Sequence, residues 1–275
     1  MPLLHIVILA IVQGLSEFLP VSSSGHLILT HHLLGSGDNM WGEALTMDIA
    51  VHIGTLVAIV IYCWKDLMAM LKSLIRVVTG QTKDKSEIRL IVFLIAASIP
   101  VLALGFTFHI LEPAWARSLP VAAWSLIIFG ILLGLADRFM PMTRTVEQMT
   151  WKDAILVGLA QMLALIPGTS RSGITMTAAR GLGFSRVEAA RFSFLLAVIS
   201  VSGAGAVGAL EFMENPSTEL FTEMAIGALV SCLAALAAMH VLMKWLVSHS
   251  FMPFVVYRVG LGVLLLVLMH QGIIG

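Results

Sequence analysis

The sequence predicts an all-α integral membrane protein with six transmembrane helices plus two re-entrant helical hairpins in an inverted repeat. Three observations predict it. The 275 residues are 59% hydrophobic and 12% charged, with mean hydropathy +0.97, whereas a soluble domain is about 25% charged. Six apolar stretches are long enough to cross a bilayer, which takes about 20 residues of helix. Two further apolar segments are cut short by polar Ser/Gly/Pro strings that match each other.

In chain order, the first hairpin is expected over 2–34. Its apolar segment 2–19 stops at Pro20, and the helix that follows, 26–34, has nine residues, roughly 14 Å of rise. Spans follow at roughly 45–64, 89–109 and 119–138. The second hairpin, 153–183, repeats the pattern: apolar 153–166, Pro167, then a short helix over 172–182. Spans at roughly 187–210, 222–243 and 251–270 complete the chain. Irregular backbone at membrane depth survives only when buried in protein or lining a wet cavity, so the two polar turns are expected to meet.

Internal similarity supports this order. At an offset of 148, Gln13, Leu15, Ser22, Ser24, Gly25, Leu34 and Gly35 match Gln161, Leu163, Ser170, Ser172, Gly173, Leu182 and Gly183, seven identities in 23 positions. Each half, about 1–140 and about 150–275, is one hairpin plus three spans. Three is odd, so the second half is inverted, and the two halves form a single membrane domain over 1–275. Inverted repeats with broken helices place a polar site near the midplane.

Lys65, Lys72, Arg76, Lys83, Lys85 and Arg89 crowd one loop, and Arg138, Arg144 and Lys152 another. The opposite loops carry one basic residue, Arg117, and an acidic run, Glu211, Glu214, Glu219 and Glu223. The positive-inside rule puts the basic loops in the cytoplasm and both termini outside. The N-terminus shows no basic n-region or small-residue cleavage site, so no removable signal peptide is expected. Cys63 and Cys232 lie in apolar runs and read as small core or lipid-facing residues, with no disulfide or metal framework. Formal net charge is zero, so no nucleic-acid footprint is visible.

The chemistry lies in the two polar strings, Gln13-Gly-Leu-Ser-Glu17-Phe-Leu-Pro20-Val-Ser22-Ser23-Ser24-Gly25-His26 and Ile166-Pro167-Gly-Thr-Ser170-Arg171-Ser172-Gly-Ile-Thr175. Ionisable groups at membrane depth cost at least about 2.5 kcal/mol and mark functional sites. Gln13 and Glu17 are spaced i,i+4 and share a helix face. Glu17 suits a hard divalent cation, since Mg²⁺ is held by one or two carboxylates plus substrate phosphate oxygens. His26, at a helix start where free N–H groups bind anions, suits a nucleophile or general acid–base toward phosphate. Arg171 suits bidentate phosphate binding. The bland readings are a snorkelling carboxylate, a core histidine and an anchoring arginine. The remaining histidines and Arg138 and Arg144 fit such readings. Asp48, His52, Arg186, Arg191, Tyr257 and Arg258 stay open.

These residues carry a resemblance. Glu17–His26 and Pro167–Thr175 resemble the two signature motifs of the undecaprenyl-diphosphatase, or bacitracin-resistance, family. Phe192-Ser-Phe-Leu-Leu196 and Pro253-Phe-Val-Val-Tyr257-Arg258 fit it as well. The resemblance runs nearly end to end. It implies a multi-pass enzyme of the bacterial inner (plasma) membrane, its site opening to the periplasmic side. Its substrate would be a polyprenyl diphosphate, undecaprenyl diphosphate, hydrolysed to the monophosphate plus phosphate for recycling in peptidoglycan synthesis. Residue by residue, the family's catalytic positions fall on Glu17, Ser23, His26 and Arg171. Substrate contacts are expected from Gln13, Ser22, Ser24, Gly25, Ser170, Ser172 and Thr175. Glu17 is the expected ligand of a divalent cation, Mg or Ca. The family motif begins with Glu or Gln; Gln13 stands there, so Glu17 is the one carboxylate of the pair. Ile199 stands where members often have Pro. Membrane lipids are expected neighbours; the sequence leaves monomer or homodimer open.

Other classes compete. A prenyl-phosphate flippase or transporter would use the same anion site but needs no nucleophile, so His26 beside Ser23 favours hydrolysis. A type-2 phosphatidic acid phosphatase shares Ser24-Gly25-His26. Its later Ser-Arg-x₅-His is missing, because Thr177 and Phe192 stand at the histidine position after Ser170-Arg171 and Ser185-Arg186. A membrane scaffold leaves the buried charge unexplained.

Overall fold

The computed structural model describes residues 2–34, 43–81, 86–111, 114–214 and 218–274. Gly35, Lys83 and Lys85 lie outside the described residues, as do the side chains of Arg117, Glu211, Glu214 and Glu219. The regular elements described are helical: α1 (Leu3–Phe18), α2 (Ser23–Leu33), α3 (Glu43–Tyr62), α4 (Trp64–Val78), α5 (Ser86–Leu111), α6 (Leu119–Phe139), α7 (Trp151–Met162), α8 (Arg171–Gly181), α9 (Arg186–Glu214), α10 (Thr218–Leu246) and α11 (Met252–His270). One isolated bridge pairs Arg144 with Phe184.

Four of these helices are long and apolar enough to cross a membrane, over Ile88–Phe108, Leu119–Phe139, Phe221–Leu246 and Met252–His270. They match the sequence-predicted spans 89–109, 119–138, 222–243 and 251–270. A fifth candidate is α3 with α4, bent by 67° at the break between them. The sequence reads 65–89 as a basic loop, yet its first half is helix α4. Trp64, Leu71, Ile75 and Val78 recur at helical spacing on an exposed face, with Lys65, Lys72 and Arg76 on the face beside it. That is the composition of a helix lying in a membrane interface.

The two halves interlock. α10 packs chiefly against α1 and α3, while α5 packs against α7 and α9, and α6 pairs with α11. Small residues make these approaches close. A Cβ at Gly158 in α7 would lie 2.8 Å from Ala97 of α5, and one at Gly54 in α3 would strike the Ala228 carbonyl of α10.

On the side that the positive-inside rule assigns to the cytoplasm, buried Asp137 ties three segments. Its carboxylate accepts from Arg180 (3.3 Å), Arg186 (2.7 Å) and the Phe251 backbone N–H (3.0 Å). Arg144 forks onto Asp153, which also closes a capping box with Thr150 at the start of α7. Arg191 pairs with Asp66 (2.7 Å) and Glu147 (3.3 Å). Hydrogen bonds from the Thr145 side chain and its own backbone hold Glu147 below the usual carboxylate range. Arg186 and Arg191, left open by the sequence, are therefore engaged in structural ion pairs.

Candidate active site

α1 ends at Phe18 because Pro20 disfavours helix at the residue before it, and Leu19 is extended (φ −69°, ψ 145°). Ser22 then adopts a left-handed φ of 76°, and its Oγ accepts from Gly25 N (3.3 Å) to cap α2. The second turn repeats this. Ser170 has φ 71°, and its Oγ accepts from Gly173 N (3.0 Å) to cap α8. Such φ values on non-glycine residues cost of order 1–3 kcal/mol and persist only where the surroundings impose them. Ser22 and Ser24 hydroxyls sit 3.2 Å apart, those of Ser170 and Ser172 3.1 Å apart. The serines that match in sequence thus do the same local work.

The turns are fused. Ser172 Oγ donates to Leu19 O (2.9 Å) and Glu17 O (3.3 Å), and Gly168 N donates to Ser24 Oγ (3.4 Å). Gly168 has φ +83°, and a Cβ there would strike the Ala122 carbonyl. Arg258 of α11, fully buried, spans both turns. It donates to Pro20 O (3.4 Å) on one side and to Gly168 O (3.1 Å) and Thr169 O (2.7 Å) on the other.

Glu17 stands at the join. Oε1 accepts from Arg171 NH2 (3.0 Å), and Oε2 accepts from Gln13 Nε2 (2.9 Å) and Ser23 Oγ (2.7 Å). Arg171 also donates to Ser193 O (3.1 Å), and its guanidinium lies 5.8 Å above the Phe18 ring. His52 approaches Glu17 Oε2 to 3.9 Å, and its Nδ1 is 2.6 Å from Asp48 O. Asp48 in turn bonds His31 Nε2 at 2.9 Å. Of the two residues that the sequence leaves open here, His52 approaches the carboxylate and Asp48 turns its side chain to His31.

His26 stands on the accessible edge, with Nδ1 2.6 Å from Ser22 O and Nε2 2.6 Å from the Tyr257 hydroxyl. Ser23, a catalytic position by the family resemblance, donates to Glu17, because α2 turns its first residue back toward the end of α1. Ser24 is exposed. Gln13, Ser22, Ser172 and Thr175 are fully buried. Thr175 Oγ1 donates within α8 and to Ser193 Oγ (2.8 Å), so in this conformation it braces Arg171 rather than facing the opening. Gly25 and Ser170 are buried in the two caps. Tyr257 and Arg258, which the sequence leaves open, are brought to the turns by α11. Their signal was a charged residue inside an apolar span.

One place offers oxygen donors that a divalent cation would use. Gln13 Oε1 is buried without a hydrogen-bond partner, on the same amide whose Nε2 donates to the Glu17 carboxylate, so turning the amide over would bring the free oxygen to the carboxylate. A neutral oxygen, a carboxylate and substrate phosphate oxygens suit Mg²⁺ or Ca²⁺. No cluster of three or more His, Cys, Asp or Glu exists among the described residues, so the substrate would complete the shell.

The arrangement puts an acid, hydroxyls and an imidazole from α1 and α2 against a guanidinium from α8, over two helix N-termini. The family model described as Bacitracin resistance protein BacA matches residues 6–264. The chain belongs to this family. It is 43% identical over 267 residues to a protein named undecaprenyl-diphosphatase from Ruegeria sp. (strain TM1040), covering 97% of this chain and 98% of that one. Proteins of the same name from Hahella chejuensis (strain KCTC 2396) and Roseobacter denitrificans (strain ATCC 33942 / OCh 114) are 44% and 42% identical, each over 97% of this chain and 98% of theirs. The polar turns and the Tyr257–Arg258 stretch of α11 fall inside the matched family region, so this site is built from residues within it.

Proposed function

We propose that the protein is an undecaprenyl-diphosphate phosphatase. It removes one phosphate from the lipid diphosphate, returns undecaprenyl phosphate to peptidoglycan synthesis, and so confers bacitracin resistance. The observation that carries the reading is the fused pair of turns, where Glu17 and Arg171 from opposite halves of the chain pair at 3.0 Å beside His26. Full-length relatives bearing the enzyme's name support the substrate.

In this reading the chain is a single domain of the bacterial inner membrane with six spans. The two hairpins enter from opposite sides as an inverted repeat, and the matching Ser22 and Ser170 caps support that relation. The diphosphate lies over the N-termini of α2 and α8, held by Arg171 and exposed Ser24. The site opens toward the periplasm, on the side of the first hairpin. Glu17 and Gln13 Oε1 would hold the divalent cation, which supplies charge neutralisation to the phosphate oxygens when bound.

Phosphoryl transfer depends mainly on positioning and electrostatics. His26 Nε2 attacks the terminal phosphorus, and the P–O bond to the lipid-side phosphate breaks. Undecaprenyl phosphate leaves with the electron pair. Ser22 O accepts the Nδ1–H and offsets the positive charge on the phosphorylated ring. Water then cleaves the P–N bond, releasing phosphate and restoring His26. Arg171 offsets negative charge in both steps.

Purified protein in detergent should release phosphate from a prenyl diphosphate and form an acid-labile phosphohistidine at His26. Lipid translocation in vesicles without phosphate release would overturn the reading in favour of a carrier.

A further inference from the structure

We infer that Tyr257 is a positioning residue for His26, selecting Nε2 as the working nitrogen and occupying the place at which the transferring phosphoryl group arrives. The inference rests on the reading of His26 as a catalytic residue.

Ser22 O can only accept a hydrogen bond, so His26 Nδ1, 2.6 Å away, must carry a proton. A neutral imidazole has one N–H, which leaves the lone pair on Nε2. The Tyr257 hydroxyl, 2.6 Å from Nε2, is then its donor. The two rings also stack, with centroids 5.6 Å apart and planes 8° apart. Ring orientation, tautomer and nucleophilic nitrogen are thus set by one carbonyl and one phenol.

The phenol is itself held in register. Its neighbour Arg258 is fully buried and bound to carbonyls of both turns, so the backbone at Tyr257 is tied to the turn that carries His26. The Tyr257 side chain is different, because the residue is 47% exposed. It lies on the open side of the imidazole, where a rotamer change frees Nε2 without disturbing the core. The hydroxyl oxygen beside Nε2 stands where a phosphate oxygen would come.

The test compares Tyr257→Phe, which keeps the stack and removes the hydroxyl, with Tyr257→Ala, which removes both. Diethyl pyrocarbonate modifies neutral imidazole, and peptide mass mapping reads His26 against His240, His249 and His270 in the same molecule. Tyr257→Phe should raise His26 modification several-fold relative to those controls. With a prenyl diphosphate, both variants should lose kcat by roughly tenfold with KM little changed. Unchanged His26 modification in Tyr257→Phe overturns the inference. So does a Tyr257→Phe enzyme with full kcat beside an impaired Tyr257→Ala, which would reduce the residue to packing. If wild-type protein releases no phosphate while the modification still shifts, the catalytic reading fails and the Tyr257–His26 contact stands.

Discussion

Replacing Arg171 by alanine would leave the Glu17 carboxylate stranded where the two turns join. Glu17 and Arg171 side chains are 8% and 12% exposed, and their contact is 3.0 Å. At an effective dielectric of about 20, charges at that distance attract by about 5 kcal/mol before desolvation is counted. Gln13 and Ser23 remain as donors at 2.9 and 2.7 Å, so the carboxylate keeps part of its solvation. Removing one partner of a buried pair costs about 3–5 kcal/mol, and Arg171→Ala should lose stability in that range. Glu17→Gln in the same molecule removes the stranded charge. The double variant should therefore be more stable than the sum of the singles, by roughly 0.5–3 kcal/mol. Catalysis behaves differently: no version without the guanidinium should recover, because an electrostatic donor of this kind contributes about 10²–10³ in rate. Arg171→Lys keeps a charge near Glu17 but cannot also fork to Ser193 O, so it should regain stability and stay slow. Unfolding in mixed micelles, followed by tryptophan fluorescence, and phosphate release on the same samples give both readouts. Strictly additive stabilities, or an alanine variant with wild-type turnover, would refute the argument.

Gly168→Ala forces a left-handed backbone and a clash with Ala122; a loss of about 1–3 kcal/mol should appear as a lower melting temperature together with lost activity. Asp137→Asn should cost a comparable amount, because Arg180 and Arg186 lose their shared carboxylate, yet turnover per folded molecule should hold, as measured by activity normalised to a size-exclusion monodisperse peak. Chelation of divalent ions should slow wild-type enzyme and leave the residual rate of Glu17→Gln unchanged; a variant that still responds to added Mg²⁺ would move the ion site elsewhere.

Much of the site was legible because its residues are neighbours along the chain. Gln13 and Glu17 meet because four residues make about one helical turn. Pro20 and Pro167 interrupt apolar helices, and the repeated Ser-x-Ser-Gly pattern carries the same cap in both turns. The meeting of Glu17 with Arg171 followed from the need to bury two polar turns. Contacts that depend on how one helix is rotated against another were not legible. No spacing rule says that α11 turns Tyr257 toward His26 and Arg258 toward both turns, or that Ser23 reaches back to Glu17. Thr175 read as a ligand for the same reason: its hydroxyl suits phosphate, and only the packing of α8 on α9 turns it toward Ser193. The matching of the halves also stops short of the chemistry. At the offset of 148, Glu17, Ser23 and His26 correspond to Leu165, Arg171 and Ile174, so of the two matching turn regions one carries the acid and imidazole and the other the guanidinium.

Arg258 gives the site a place in time as well as in space. The carbonyls it gathers belong to segments made early and midway through synthesis, whereas α11 comes after the other described helices in the chain. Until that helix inserts, the turn carbonyls lack their shared donor and His26 lacks its phenol. Both turns and the imidazole therefore depend on a single helix, and a chain whose α11 is unpacked loses the bridge between the turns and the phenol at His26 together.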